Sequence, residues 1–270
     1  MELLFLRQAL VLAGTALAAY ADIKTGLIFD RITYPMIALG VIFNLIEFDL
    51  NAFLVAGIVF AVGFALYYFG KIGGGDVKLF TGTALLMPFL NGTVFILSVL
   101  IVAGITAVVF LAVFYVMKYA RKGIDWKFNS AGIRKSIFLG VVLVVYFYFL
   151  VSAGIAPISY AVALGIPMVF ALAFLALERG IRKEFFLEEV KIGELEEDDI
   201  LASDFLKEEE ANKINAGMKG VIDKKLQERI KALGFNKVKV YRNLPKFAPF
   251  VFLGVVASIA WPEVLNAFLM

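Results

Sequence analysis

Long apolar runs separated by short polar connections make up most of this chain. A helix needs about 20 apolar residues to cross the roughly 30 Å hydrocarbon core of a bilayer, and most of the runs approach that length. The pattern therefore predicts an all-α polytopic membrane protein with about eight transmembrane helices. The predicted spans are 3–21, 32–48, 52–69, 77–90, 93–117, 136–153, 157–177 and 247–269.

The segment 178–246 departs from this pattern, because it holds 15 acidic and 15 basic residues. Alternating polar and apolar residues predict strands in "EVKIGEL" and "KVKVYRNL", and helical spacing in 219–234 predicts a helix that stops at Gly234. The acidic stretch between them is interpreted as a solvated turn and helix. We expect three parts: a membrane domain at 1–177, a small α+β cytoplasmic module at 178–246, and a final transmembrane helix at 247–270.

The composition excludes several kinds of catalytic and structural site. The chain has 61% hydrophobic residues and no cysteine or histidine, which excludes disulfides, thiolate nucleophiles, Ser-His-Asp triads and the usual zinc sites. No metal site and no cofactor are predicted. The charged module has no net charge and offers no basic patch for nucleic acid. Any catalysis has to come from carboxylates, lysine, tyrosine or serine.

The distribution of lysine and arginine predicts the orientation, since short cytoplasmic loops are enriched in both. The connections 22–31, 70–78 and 118–135 contain ten bases, whereas the connections on the opposite side contain none. The amino terminus is therefore predicted outside, with the charged module at the cytoplasmic face. The first 21 residues could instead be a cleaved secretory signal ending at "AYA", but the acid Glu2 precedes the first base and favours a retained span.

Eight acids lie outside the module, and two of them stand at the predicted cytoplasmic membrane edge. Asp22 follows the first span directly, and Asp76 directly precedes the fourth. Ionisable residues at such positions are costly and are functional candidates. Two aspartates that share a site do not both ionise easily, so one keeps its proton and acts as an acid while the other acts as a base. This pair has the chemistry of an aspartic protease.

The stretch "KIGGGDVKLF" adds three glycines before Asp76. Without Cβ atoms, Gly73, Gly74 and Gly75 can adopt unusual dihedrals and approach an extended substrate peptide. The alternative is a flexible loop between helices. Lys24 and Lys78 either stabilise neighbouring carboxylates or, as we favour, mark the membrane interface, where lysine side chains snorkel.

These motifs resemble the GxGD intramembrane aspartyl proteases, in their type IV prepilin peptidase branch, with archaeal preflagellin and prepilin peptidases the most similar. "GGGDVKLF" is similar to the GxGDxKL element that carries the second catalytic aspartate, and "ADIKTGLIFDRITYP" to the region of the first. The resemblance implies that Asp22 and Asp76 are catalytic, with Asp30 as the rival to test. Bacterial members often carry another acid two residues after the first aspartate, where this chain has Lys24.

The resemblance further implies that substrate binding involves Gly73, Gly74, Gly75 and Lys78. It implies removal of class III signal peptides from archaellin or type IV pilin-like precursors at the cytoplasmic membrane face. Bacterial relatives carry an additional methyltransferase region, commonly with a cysteine cluster, so we expect cleavage without methylation. The expected partners are the precursor proteins and the lipid bilayer, and the oligomeric state is left open.

Two other functions stay open on the residues alone. A transporter or ion pathway also uses intramembrane acids, although its key acids would more often lie near the bilayer midplane in broken helices. A membrane-anchored interaction protein would act through the charged module.

Overall fold

The computed structural model describes residues 2–196, 199–206, 214 and 221–262. The chain divides into two compact units. They consist of Met1–Ile96 with Phe186–Pro249, and of Leu97–Phe185 with Phe250–Met270.

Helices dominate the described residues. The α-helices are α1 Glu2–Thr25, α2 Asp30–Ile46, α3 Leu50–Tyr68, α4 Gly74–Leu86, α5 Phe95–Lys122, α6 Ser130–Ser152, α7 Ile158–Phe185, α8 Lys224–Ala232 and α9 Ala248–Ala260. The strands are β1 Phe89–Leu90, β2 Thr93–Val94, β3 Leu187–Lys191, β4 Ile200–Leu201 and β5 Lys237–Tyr241.

Five helices among the described residues, α1, α3, α5, α6 and α7, are long and apolar enough to cross a membrane. The chain is therefore a largely helical membrane protein, as predicted, but the count of eight spans is not confirmed. Helices α2 and α9 have 17 and 13 residues, and the predicted last span continues into 263–269, outside the described residues.

The predicted fourth span, 77–90, is wrong as a continuous helix. Helix α4 has only 13 residues, a length of about 20 Å, and is too short to cross the bilayer alone. Pro88 follows the end of the helix, and β1 and β2 then pair as an antiparallel hairpin. Asn91 and Gly92 form its turn with φ of 49° and 80°. The Asn-Gly dipeptide stands at the predicted connection, but it closes a β-hairpin rather than joining two membrane spans directly.

Helix α4 packs tightly against α2 in the first unit. A Cβ added to Gly40 would lie 2.7 Å from the backbone carbon of Leu85, so only glycine permits this approach. Helix α4 is also held at its carboxyl end, where Arg7 of α1 donates 2.8 Å to the carbonyl of Leu86. The same buried guanidinium donates 2.9 Å to Asn44 Oδ1 and 2.8 Å to Glu47 Oε2. Arg7 thereby joins α1, α2 and the free carbonyl groups that end α4.

Replacing Arg7 by methionine is expected to destabilise the protein by about 2–4 kcal/mol, because buried charged hydrogen-bonding groups lose their partner. The exposed Arg31, which lies 4.6 Å above the ring of Phe29, provides the matched control. Thermal unfolding of the detergent-solubilised variants measures the difference. Equal melting temperatures for Arg7→Met and Arg31→Met would show that the hydrogen bonds of Arg7 contribute little to the stability of the fold.

The charged module folds around a three-stranded antiparallel sheet in the order β3-β5-β4. Both predicted strands are present but shorter than predicted, since β5 ends at Tyr241 and β3 ends at Lys191, after which Ile192–Glu194 form a 3-10 helix. Its apolar core includes Val190, Ile222, Leu226, Ile230 and Val240. The predicted helix starts later than expected, at Lys224, because the carboxylate of Asp223 accepts 2.8 Å from the amide of Leu226 and caps it. Gly234 has φ of 74° after the helix, as its role as a stop signal predicts.

The acidic stretch is only partly solvated. Asp199 is buried and accepts 2.9 Å from Nε and 2.7 Å from Nη2 of Arg242, a bidentate pair. This ion pair joins the stretch before β4 to the residue that follows β5. A buried carboxylate needs such a partner, and the charge pattern alone did not identify which acid would be buried. The residues 197–198 and 207–210 of the stretch lie outside the described residues.

Candidate active site

Asp22 lies in the last turn of α1 and is only 6% exposed. Its Oδ2 accepts a hydrogen bond of 3.1 Å from the amide of Ala248. Ala248 is the first residue of α9, and its amide is one of those that a helix leaves without an intrahelical acceptor. A buried aspartate that accepts from such an amide can hold a negative charge there.

Asp76 lies in the first turn of α4 and is partly buried. Its Oδ2 accepts 3.2 Å from the amide of Gly73, the residue that caps the helix. Burial raises the pKa of Asp76 to about 6, the hydrogen bond from Gly73 opposes the shift, and the charge of Asp22 adds to it. Asp76 therefore holds its proton more readily than an ordinary aspartate.

The structure places Asp22 and Asp76 in one neighbourhood, since the charge of Asp22 acts on Asp76. Asp22 lies in the last turn of α1 and Asp76 in the first turn of α4, so both are at helix ends as predicted but inside the helices rather than just outside them. The carboxylates are not hydrogen-bonded to each other in the part of the chain that the structure describes, where each accepts from a backbone amide. Each carboxylate is thus held by a separate backbone amide, and one of them can act as a base while the other acts as an acid.

Asp30, the rival candidate, has a different partner. Its Oδ1 forms an ion pair of 2.5 Å with Nζ of Lys78, whose ammonium also lies 5.0 Å from the ring centre of Tyr34. The hydrogen bond from Lys78 lowers the pKa of Asp30, whose side chain is 51% exposed. Lys78 thus stabilises a neighbouring carboxylate, the less favoured of the two roles predicted for it. The ion pair with Lys78 therefore gives the Asp30 carboxylate a structural partner.

The glycines before Asp76 do not adopt unusual dihedrals. Gly73 has φ of −77° and ψ of 152°, and Gly74 and Gly75 begin α4. The expectation of special backbone angles is wrong, because a helix start needs none. Gly75 is instead required by packing, since a Cβ there would lie 2.9 Å from Cβ and 3.1 Å from the carbonyl oxygen of Ile28. Gly75 therefore lets the start of α4 approach the connection that follows α1.

Gly75→Ala is expected to lower the free energy of unfolding by about 1–3 kcal/mol, the usual range for overpacking against a neighbouring backbone. Gly74→Ala is the matched control, because its Cβ would meet the ring of Tyr67 at 3.5 Å, an ordinary contact. Thermal unfolding compares the two variants. Equal stability of both would contradict the packing role assigned to Gly75.

Sequence reasoning missed the segment 246–248, which we call the strap. Lys246 Nζ donates to the carbonyl oxygen of Ile23 in the last turn of α1, and Ala248 binds Asp22. Between them, the ring of Phe247 packs edge-on against Phe80 of α4 at 6.1 Å between centroids. The strap thus touches the helices that carry both aspartates. Pro249 signals a helix start nearby, but nothing in the local pattern indicates which carboxylate that start meets.

Comparison with known proteins places this site in context. Residues 9–112, which include both aspartates and the glycines, match the model of the type IV leader peptidase family. The resemblance is confirmed. It covers α1 to α4 and part of α5, whereas the charged module lies outside the match.

One curated relative is the prepilin peptidase EppA of Methanothermobacter thermautotrophicus, which is 42% identical over 80 residues. That alignment covers 27% of this chain and 21% of EppA, so the chain spans about a fifth of the relative's length. No solved structure matches the chain significantly.

Proposed function

We propose that the chain is a membrane aspartyl endopeptidase that removes class III signal peptides from archaellin or type IV pilin-like precursors. One observation carries the proposal: two partly or fully buried aspartates share one neighbourhood inside the segment that matches the leader peptidase family. The similarity to a prepilin peptidase supports pilin-like precursors as the substrate class.

The environments of the two carboxylates suggest their roles. Burial opposes ionisation of Asp22, but the first amide of α9 and the ammonium of Lys246 stabilise its carboxylate, so we assign Asp22 the role of general base. Asp76, with a pKa of about 6, acts as the general acid. Asp22 removes a proton from water as the water oxygen attacks the scissile carbonyl carbon, and Asp76 donates its proton to the carbonyl oxygen. The C–N bond then breaks as Asp22 returns its proton to the leaving nitrogen and Asp76 takes a proton back from a hydroxyl of the tetrahedral intermediate. Because the two carboxylates interact, pKa values measured from the pH dependence describe the pair of aspartates and not either one alone.

The strap supports this division of roles. Lys246 places an ammonium group at the end of α1, and the backbone amides of Ala248 and Phe247 both act on the Asp22 carboxylate. Asp76 receives a single amide bond from its own helix start. The strap follows β5 after residues 242–245, so only a short connection joins the charged module to the element that orients the proposed base.

The proposal includes the topology predicted from the bases: the amino terminus outside, with both aspartates and the module at the cytoplasmic face. A precursor's hydrophobic helix then lies in the bilayer with its basic leader at the same face as Asp22 and Asp76. Gly73 is exposed beside Asp76 and Gly74 is partly exposed, which suits contact with an extended peptide. Lys78 belongs to this surface through its pair with Asp30.

The test is incubation of the purified protein, in detergent or liposomes, with a pilin precursor that carries its basic leader. The proposal predicts a product shortened by the leader, with the cut on the cytoplasmic side of the hydrophobic helix. If folded protein left several archaellin and pilin precursors intact, while the same liposomes showed ion or solute flux, the transporter function would replace this one.

A further inference from the structure

A cavity of about 340 Å³ opens in the second unit, at the ends of α5 and α7 and the connection between α5 and α6. Its lining includes Tyr119, Lys122, Asp125, Phe128, Lys183 and Glu184. None of these residues belongs to the proposed catalytic site. The cavity therefore needs a separate explanation.

The floor of the cavity is rigid. Asn129 donates 3.1 Å to the hydroxyl of Tyr119 and accepts 2.9 Å from the amide of Gly180. A Cβ on Gly180 would lie 2.3 Å from the Tyr119 hydroxyl, so α7 approaches α5 as closely as glycine allows. Tyr119 and Asn129 are both buried, at 6% and 1% exposed. A preformed floor of this kind loses little entropy when a ligand binds.

Hydrogen-bond donors remain available at the cavity. The Tyr119 hydroxyl accepts from Asn129 and, at 3.4 Å, from the amide of Asp125, and its own proton has no acceptor among the described residues. The ammonium of Lys183 lies 4.7 Å from the ring centre of Phe128 and has no carboxylate partner within the described part of the chain. Both groups can donate to an oxyanion.

The two carboxylates at the cavity already have partners. Glu184 Oε1 pairs with Lys122 at 2.6 Å, and Asp125 Oδ1 accepts 2.9 Å from the amide of Phe128. The surroundings are strongly basic, since the segments 118–135 and 178–185 together hold nine basic and three acidic residues, a net charge of +6. Donors and net charge both favour an anion over a cation.

The position of the cavity indicates where the anion comes from. Helices α5 and α7 have 28 residues each, a length of about 42 Å, and extend beyond a hydrocarbon core of about 30 Å. Their last turns, which carry the cavity, therefore reach the headgroup layer. Trp126, in the same connection, is 65% exposed, and tryptophan is enriched at this depth.

From this geometry we propose that the cavity binds the phosphate of an anionic membrane lipid. The Lys183 ammonium and the Tyr119 hydroxyl hold the phosphate oxygens, Phe128 supports the ammonium, and the acyl or alkyl chains run along α5 and α7 into the bilayer. Basic pockets between transmembrane helices at the headgroup level recognise lipid phosphates in this way. The bound lipid fixes the ends of α5 and α7 in the membrane.

Native mass spectrometry of the detergent-solubilised full chain, titrated with phosphatidylglycerol or with phosphatidylcholine of the same chains, tests the proposal. Phosphatidylglycerol is expected to bind more tightly, and Lys183→Gln is expected to weaken it about fivefold, the effect of one basic residue near an anionic surface. Lys183→Arg keeps the charge and is expected to restore binding. Lys127→Gln is the control, because Lys127 is exposed in the same connection but does not line the cavity.

Three results would overturn the proposal. Equal weakening by Lys127→Gln and Lys183→Gln would show that general surface charge, not the cavity, attracts the lipid. Equal binding of phosphatidylcholine would show that the anionic headgroup is not recognised. Inorganic phosphate or glycerol phosphate that displaced the lipid at equal concentration would show a site for soluble anions. Circular dichroism verifies that each variant is folded.

Discussion

Asp22→Asn and Asp76→Asn are each expected to lower the rate of leader removal by about a thousandfold, within the range for loss of a general acid or base. Asparagine is nearly isosteric with aspartate and can still accept the amide bonds from Ala248 or Gly73. It cannot take a proton from water or supply one at neutral pH. The loss should therefore appear in kcat with little change in KM.

Asp30→Asn is the matched control for the pair. Its carboxylate is half exposed and paired with Lys78, so its loss is expected to leave cleavage close to the wild-type rate. Cleavage abolished by Asp30→Asn but retained by Asp22→Asn would transfer the base to Asp30. Leader removal followed by mass over time distinguishes the two assignments.

Stability provides an independent check on Asp76→Asn. Because the pKa of Asp76 is raised from 3.8 to about 6 on folding, the folded protein loses stability as the pH rises between these two values, and the full cost is present above about pH 6. Asparagine removes the cost, worth at most about 3 kcal/mol for a shift of roughly two units. Asp76→Asn should thus unfold at a higher temperature than the wild type at pH 8 and at a similar temperature at pH 4.

The pH dependence of cleavage is the second large expected effect. If Asp76 must be protonated to act as the acid, kcat/KM should fall about tenfold for each pH unit above about 6. Burial removes water from the carboxylate and raises its pKa. The falling limb of the pH profile therefore lies about two pH units above the limb expected for an ordinary aspartate. The residual activity of Asp76→Asn should lack the limb.

The profile is measured with one precursor peptide in overlapping buffers at constant ionic strength, with thermal unfolding at each pH as the control for inactivation. A value of kcat/KM that stayed constant between about pH 6 and 8 would contradict the role of Asp76 as the acid. A limb that persisted in Asp76→Asn would assign the titration to another group.

The sequence was sufficient to predict the positions of Asp22 and Asp76 at helix ends, because apolar runs fix where a chain enters and leaves the bilayer. The sequence was insufficient where helix-ending and turn residues interrupt a long apolar run. The Asn91–Gly92 turn and Pro88 end α4 early within an apolar stretch. Uninterrupted hydropathy does not show this.

The partners of the candidate site were harder to predict. Asp22 and Ala248 are 226 positions apart, and only the folded chain brings the start of α9 to the end of α1. Lys78 was assigned to the membrane interface, yet it pairs with Asp30, 48 positions away. Periodicity and motif spacing report on single elements, whereas these contacts depend on how α1, α2, α4 and the strap pack together.

The most direct test of the account is the intact mass of a leader-bearing pilin precursor after incubation with the wild type, Asp22→Asn, Asp76→Asn or Asp30→Asn. The account predicts loss of the leader with the wild type and Asp30→Asn, and an unchanged precursor with the other two. Loss of the leader with Asp22→Asn or Asp76→Asn at the wild-type rate would contradict the central claim that these two aspartates carry out the cleavage.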